Sequence, residues 1–182
     1  DLHPRVRRQR QMCIRDSLAD DNESEVFVFI RGSEGNDKYR EIAKNGAHKV
    51  FVCDTGLNSF IEMCRLWIIR NDIHMMAFQD TEEGRKMASV LAMMLDGGLT
   101  ADCINIEYDK KDGFQFFRAA LSDSIVAKIK CINTDYQLCT IKQNSFQIKK
   151  ELSYETGNIE YLKPEKEVKE ALAQVILSLI HI

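Results

Sequence analysis

The chain has 182 residues, of which 45% are hydrophobic and 29% are charged. This length and composition allow one domain with a substantial core and argue against a disordered chain. Residues 1–17 carry five arginines and two acids, and the remainder has 20 basic and 26 acidic residues, a balance that disfavours nucleic-acid binding. No apolar run approaches the ~20 residues that a transmembrane helix needs. We therefore expect a soluble, cytoplasmic protein.

The two ends of the chain differ in character from the middle. Residues 1–17 show no hydrophobic period and no signal-peptide core. The stretch from Arg8 to Ser17 and the last residues resemble translated sequencing-adapter sequence at the edges of a metagenomic contig. We interpret residues 1–17 and 178–182 as non-native, 18–146 as the domain, and 147–177 as a linker or the start of a following domain.

Strands and helices alternate through the first hundred residues. The apolar runs Val26–Ile30, Val50–Cys53 and Ile73–Phe78 predict strands that are covered on both faces. A short helix over residues 37–45, with Ile42 facing inward, and a second helix capped by Asn58 separate these strands. The order predicts parallel strands with right-handed crossovers, and hence a three-layer α/β fold with a mostly parallel sheet.

A third helix follows the strand Ile73–Phe78. Asp80 or Thr81 can cap its first turn, and the pair Gly97-Gly98 is expected to end it. Its apolar stripe is predicted to bury Met87, Val90, Leu91, Met94 and Leu95, beside a second line of small residues, Gly84, Ala88 and Ala92.

After Cys103 the pattern changes to an alternation of apolar and polar residues. The segments 104–108 and 114–118 flank a turn at 109–113 and predict an antiparallel hairpin. Residues 124–130 and 137–141 predict two further strands, and Pro164 precedes a predicted amphipathic helix.

Candidate chemistry is sparse. His48 and His74 have no second ligand at metal-binding spacing, and the loop Arg31–Asn36 has acids where a phosphate would lie, so we predict no metal site and assign no catalytic residue. The six cysteines include no C-x-x-C pair, which favours buried, reduced thiols. Arg85 follows the carboxyl end of a parallel strand, where open α/β sheets bind ligands; alternatively, it holds a neighbouring loop or subunit.

Several motifs occur in an order that resembles the amino-terminal domain of electron transfer flavoprotein alpha subunits. The first is the turn Thr81-x-x-Gly84-Arg85, and the more specific is the run Gly98–Cys103. Further matching residues are Arg118, Ala119, Ile125, Ala127, Cys131, Asn133, Gln137 and Thr140. The resemblance covers roughly Glu25–Phe146. The chain is a divergent member, since Asp135-Tyr136 stands where the family usually has Arg-Pro.

The resemblance implies an electron carrier rather than an enzyme. With a beta subunit, in a heterodimer, the intact protein would carry electrons on FAD between dehydrogenases and an acceptor. The flavin would bind in a following domain, so that this part alone binds no cofactor and serves as the docking scaffold. The implied interface residues are Thr81, Gly84, Arg85, Thr100, Ala101, Asp102, Cys103 and Arg118.

The resemblance also implies a Rossmann-like or adenine-nucleotide-alpha-hydrolase-like sheet with added antiparallel strands. It further implies that a first strand and helix precede Val26. That strand would run between the strands Val26–Ile30 and Ile73–Phe78. The alternative reading of the chain is a free-standing adenine-nucleotide-binding α/β domain, which would require a glycine-rich loop after its first strand.

Overall fold

The computed structural model describes residues 24–33, 35, 37–44, 47–120, 124–146 and 158–165. In these ranges the helices are α1 (Lys38–Lys44), α2 (Leu57–Arg70) and α3 (Glu82–Leu95). The strands are β1 (Phe27–Arg31), β2 (Lys49–Cys53), β3 (Met75–Gln79), β4 (Gly98–Asp109), β5 (Gly113–Ala120), β6 (Ile125–Ile129), β7 (Gln137–Ile141) and β8 (Asn158–Tyr161). Both ends that we interpret as non-native, and the helix predicted after Pro164, lie outside the described residues.

The strands divide into two sheets. The first has the order β1-β2-β8 and is entirely parallel. The second has the order β3-β7-β4-β5-β6, with β7 parallel to both of its neighbours and β5 antiparallel to both β4 and β6. The α/β class, with mostly parallel strands and added antiparallel ones, is thereby confirmed.

A single hydrophobic cluster connects the two sheets. Cys53 of β2, Met76 of β3 and Leu138 of β7 all belong to it, and Phe29 of β1 packs against it. The helices α2 and α3 supply the remaining buried members, Phe60, Ile61, Cys64, Ile68, Leu91, Ala92 and Leu95. Burial of these apolar side chains is the main favourable term in folding. The cluster therefore holds the two sheets together, although no strand pairing joins them within the described residues.

The run Gly98–Cys103 is part of a strand. The helix α3 ends at Asp96, which takes the left-handed conformation (φ 53°), and β4 starts at Gly98. The prediction that Gly97-Gly98 forms the helix end was therefore wrong by one residue, because aspartate tolerates the left-handed region that a helix end requires. Gly98 is needed for packing instead: an added Cβ would lie 2.6 Å from Cys131 Sγ.

Three details of the helices also differ from expectation. In α3 the small residues let the sheet approach closely, and the buried side of the helix is formed by Gly84, Ala88, Leu91, Ala92 and Leu95. Met94, which was expected to be buried, is 42% exposed. The cap of α2 is Gly56, without a side-chain hydrogen bond, and not Asn58. Ile42 of α1 is exposed, since only Tyr39 and Ala43 of that short helix face the first sheet.

Candidate functional site at the carboxyl ends of β3 and β7

The first turn of α3 lies directly after the end of β3. Thr81 is the N-cap residue, and its hydroxyl accepts a hydrogen bond from the Gly84 amide at 3.1 Å. Of the two caps that the sequence allowed, Thr81 is thus the one used. A Cβ on Gly84 would overlap the carbonyl oxygen of Gln79, so only glycine allows the helix to start this close to the strand end.

Arg85 projects from this turn and is held by Asp80. Its Nη1 lies 3.2 Å from the Asp80 carboxylate and donates to the Asp80 carbonyl oxygen at 3.3 Å. The Arg85 side chain is 54% exposed, whereas that of Asp80 is 17% exposed. A largely buried carboxylate therefore holds the guanidinium in place, and more than half of the Arg85 side chain still faces solvent.

β4 carries a bulge beside the end of β7. The register of the β4–β7 pairing shifts between Thr100 and Cys103, and Asp102 within the bulge has a φ of 59°. The Asp102 amide, which the interrupted ladder leaves without a backbone partner, donates to Thr140 Oγ1 at 2.9 Å. The Thr140 hydroxyl in turn donates to Asp80 Oδ1 at 3.0 Å. One buried hydroxyl thus connects the bulge to the turn that holds Arg85.

Thr100 and Cys103 lie beneath this surface. Both side chains are buried, and Cys103 Sγ lies 3.5 Å from the Thr100 carbonyl oxygen. The hydrogen bond with Cys139 lowers the pKa of the Cys103 thiol, burial opposes this, and the charge of Arg118 on β5 adds to the lowering. The same bond and burial raise the pKa of Cys139. Neither thiol reaches the surface, and the two cysteines lie in the contact between β4 and β7.

The eight residues selected from the sequence thus divide into two groups. Arg85, Ala101, Asp102 and Arg118 keep side chains that are at least partly exposed, and Thr81 is partly exposed at the helix cap. Gly84, Thr100 and Cys103 are buried and act on the backbone geometry. Arg118 pairs with Cys103 across β4 and β5, and both Arg118 and Asp80 act electrostatically on that thiol. The selected residues therefore lie in one neighbourhood.

Asp80 and Thr140 were not selected as site residues. Asp80 was noted only as a possible helix cap, and Thr140 only as a matching residue. Their contact joins positions 60 residues apart, and the spacing of motifs along the chain contains no signal for it.

Other parts of the described chain offer little chemistry. His48 Nδ1 accepts from the Val26 amide, and His74 contacts the Asp135 carbonyl oxygen and Asp72. No group of three potential metal ligands occurs among the described residues, and the five cysteines there are free thiols. None of the helices in that part has the length and apolar content to cross a membrane.

A cleft of about 470 Å³ lies at the amino ends of β1, β2 and β8, away from the surface around Arg85. Its walls include the rings of Phe27, Phe51 and Trp67, with Glu25 and Glu160 among its polar residues. Lys49 also lines the cleft and pairs with Glu160 at 2.7 Å, so positive and negative side chains both face this space.

The glycines around the candidate site offer no place for the phosphates of a flavin dinucleotide. The positions of Gly84, Gly97 and Gly98 are filled by the chain's own atoms, so none of them cradles a phosphate. Among the described residues, the buried side-chain atom without a hydrogen-bond partner is Gln137 Oε1. This atom is an acceptor, whereas the phosphates and carbonyl groups of a flavin need hydrogen-bond donors. That this chain alone binds no flavin stays a prediction.

Comparison with known proteins identifies a family. Residues 68–167 match the model of the electron transfer flavoprotein domain. The chain is 30% identical to the electron transfer flavoprotein subunit alpha of Megasphaera elsdenii over 138 residues, which are 71% of this chain and 40% of that protein. It is 26% identical to the lactate dehydrogenase (NAD(+),ferredoxin) subunit LctC of Acetobacterium woodii over 147 residues, 78% of this chain and 35% of that protein. The chain thus spans well under half the length of these relatives.

Proposed function

The chain belongs to the electron transfer flavoprotein domain family, as a divergent alpha-type amino-terminal domain, and we propose that it docks a beta subunit in a heterodimer. The docking surface is centred on Arg85, the bulge Ala101–Asp102 and Arg118. The buried residues Thr100 and Cys103 support it from below.

The observation that carries this proposal is the fixed geometry around Arg85. A largely buried carboxylate holds the guanidinium while more than half of its side chain stays accessible. Arginine in such a setting has donors left for a second carboxylate or carbonyl, which suits contact with another protein. The location agrees with the ends of parallel strands, where α/β sheets place their binding sites.

In the same proposal the intact protein carries FAD and passes electrons between dehydrogenases and an acceptor in the cytoplasm. The flavin binds outside this domain, a division supported by Gly84, Gly97 and Gly98, whose surroundings are filled by the chain's own atoms. This chain contributes the docking scaffold and no catalytic group.

The experiment completes the gene and co-expresses the product with its cognate beta subunit. Wild type is compared with Arg85→Ala and Arg118→Ala by co-purification and by the dissociation constant of the heterodimer. We expect each substitution to weaken association about tenfold or more, the effect of removing a charged hydrogen-bonding group from an interface.

Arg40→Ala is the matched control. Arg40 is an arginine of α1, beside the first sheet, and its side chain is 75% exposed. The Arg40→Ala variant should bind the beta subunit as well as wild type does. If both Arg85→Ala and Arg118→Ala also bind like wild type, the docking surface is assigned wrongly. If the 182-residue chain purifies with bound FAD, the division of roles between the domains is wrong.

A further inference from the structure

The connection between the bulge in β4 and the first turn of α3 depends on a single side chain. Thr140 is 1% exposed and lies near the end of β7, between β3 and β4. Its hydroxyl accepts from the Asp102 amide at 2.9 Å and donates to Asp80 Oδ1 at 3.0 Å. A hydroxyl has one donor hydrogen and can accept at the same time, so Thr140 makes both bonds at once.

Each of these bonds fixes a different part of the surface. Asp80 Oδ1 accepts the hydrogen bond from the Thr140 hydroxyl. The same oxygen lies 3.2 Å from Arg85 Nη1. The Asp102 amide is the group that the bulge removes from the strand ladder, and Asp102 has the left-handed backbone that costs energy for a residue other than glycine. Without the hydroxyl, the carboxylate loses one of its donors and the bulge loses a hydrogen bond that holds it in this conformation.

We propose that Thr140 is a positioning residue for docking: it sets Asp80, and through it Arg85, and at the same time fixes the bulge that presents Asp102. Thr140 itself touches no partner, because it is buried. This inference rests on the proposed function and deepens it, since it states that the two outward-facing parts of the docking surface are coupled.

The test uses the full-length gene product with its cognate beta subunit and measures the dissociation constant and the melting temperature of each variant. Thr140→Val keeps the shape of the side chain and removes the hydroxyl. We expect about tenfold weaker binding of beta, the loss that follows from removing hydrogen bonds to a charged group. Thr140→Ser restores the hydroxyl and should bind within about twofold of wild type, on the same conversion.

Two further variants separate positioning from stability. Thr134→Val removes a hydroxyl that donates to the Asp96 carbonyl oxygen at 2.9 Å, at the start of β4 and away from the surface around Arg85. It should lower the melting temperature and leave beta binding unchanged. The double variant of Thr140→Val with Arg85→Ala should bind more tightly than the product of the two single effects predicts, because both act through Asp80.

The outcomes also separate this inference from the proposed function. If Arg85→Ala weakens binding but Thr140→Val does not, Thr140 is only structural and the inference is overturned while the docking surface stands. If neither arginine matters, the docking surface itself fails. Should Thr140→Val not fold, Asp80→Asn, which keeps the size of the side chain and removes its charge, takes its place. Wild-type binding by Asp80→Asn then overturns the inference.

Discussion

Gly84 shows at the scale of one residue how this site depends on close backbone approach. Replacing glycine by alanine inside a helix ordinarily stabilises the helix by ~1 kcal/mol. Here the new Cβ would overlap the carbonyl oxygen of Gln79, a backbone atom that cannot rotate away. We expect Gly84→Ala to lower the free energy of unfolding by about 1–3 kcal/mol, measured by urea denaturation of the full-length gene product.

The control for this prediction is Met93→Ala in the same helix. Met93 is 77% exposed, so its truncation should change the free energy of unfolding by less than about 0.5 kcal/mol. An unchanged or higher urea midpoint for Gly84→Ala would show that α3 does not start as closely to β3 as described.

Single residues were predictable where a local rule applies. The residues before Glu82 and Glu83 indicate a helix cap at either Asp80 or Thr81, and the structure uses Thr81. The left-handed backbone conformation of Asp96 and Asp102 was not predictable, because glycine is the usual residue in that conformation. Beside Asp96, Gly97 and Gly98 were the expected candidates. The role of Asp80 depends on Thr140, which only the fold brings near.

At the scale of elements, one ion pair joins the end of β1 to the start of α3. Arg31 Nε and Nη2 donate to the two carboxylate oxygens of Glu83 at 2.9 and 3.0 Å. This hydrogen bonding lowers the pKa of Glu83, burial opposes the shift, and the charges of Arg31 and Lys86 add to it. The pair links the two sheets, since β1 belongs to one and α3 packs on the other.

A lowered carboxyl pKa stabilises the fold above the unfolded pKa of about 4.3, and this contribution is lost as the pH falls through the folded value. Because the side chains are 38% and 45% exposed, we expect Glu83→Gln to cost under ~1 kcal/mol at pH 7. The difference from wild type should shrink as the pH falls below about 4.3 and vanish once Glu83 is protonated in the folded protein, where thermal melts of both proteins should coincide.

Glu82→Gln serves as the control, because Glu82 shares the first turn of α3 and its favourable dipole interaction. It should lose less stability at pH 7 than Glu83→Gln does. An equal loss for both would show that the helix dipole, and not the ion pair with Arg31, is responsible.

Elements with a clear period were predictable, and elements fixed by tertiary context were not. The hairpin of β4 and β5 was expected from alternation around the turn at 109–113, and it is present. The first residues of β4, Gly98–Cys103, have no alternation, and their strand conformation comes from pairing with β7. β8 lies in a polar stretch and forms because β2 offers it an edge.

At the scale of the molecule, the division into two sheets leaves two strand edges open. In the described residues β1 pairs with β2 alone and β3 with β7 alone. The apolar residues Phe27–Ile30 are only half-buried and Ala77 of β3 is exposed, which is unusual for strands of a covered parallel sheet. The resemblance places a further strand between these edges.

We therefore predict that these 182 residues, expressed alone, aggregate or fold weakly, because unpaired backbone groups at the edges of a core are costly. Size-exclusion chromatography and a thermal melt followed by circular dichroism are the measurements. A soluble monomer with a cooperative melt well above room temperature would contradict this prediction.

The most direct test of the docking assignment is hydrogen–deuterium exchange of the full-length gene product with and without its beta subunit. We predict slower exchange on binding in peptides that cover residues 80–86 and 100–104, where Arg85 and the bulge lie. Peptides around the hairpin turn at 109–113 should exchange at the same rate in both states. The docking surface is assigned wrongly if residues 80–86 and 100–104 show no protection. Protection would then be confined to that turn, or to the cleft at the amino ends of β1 and β2.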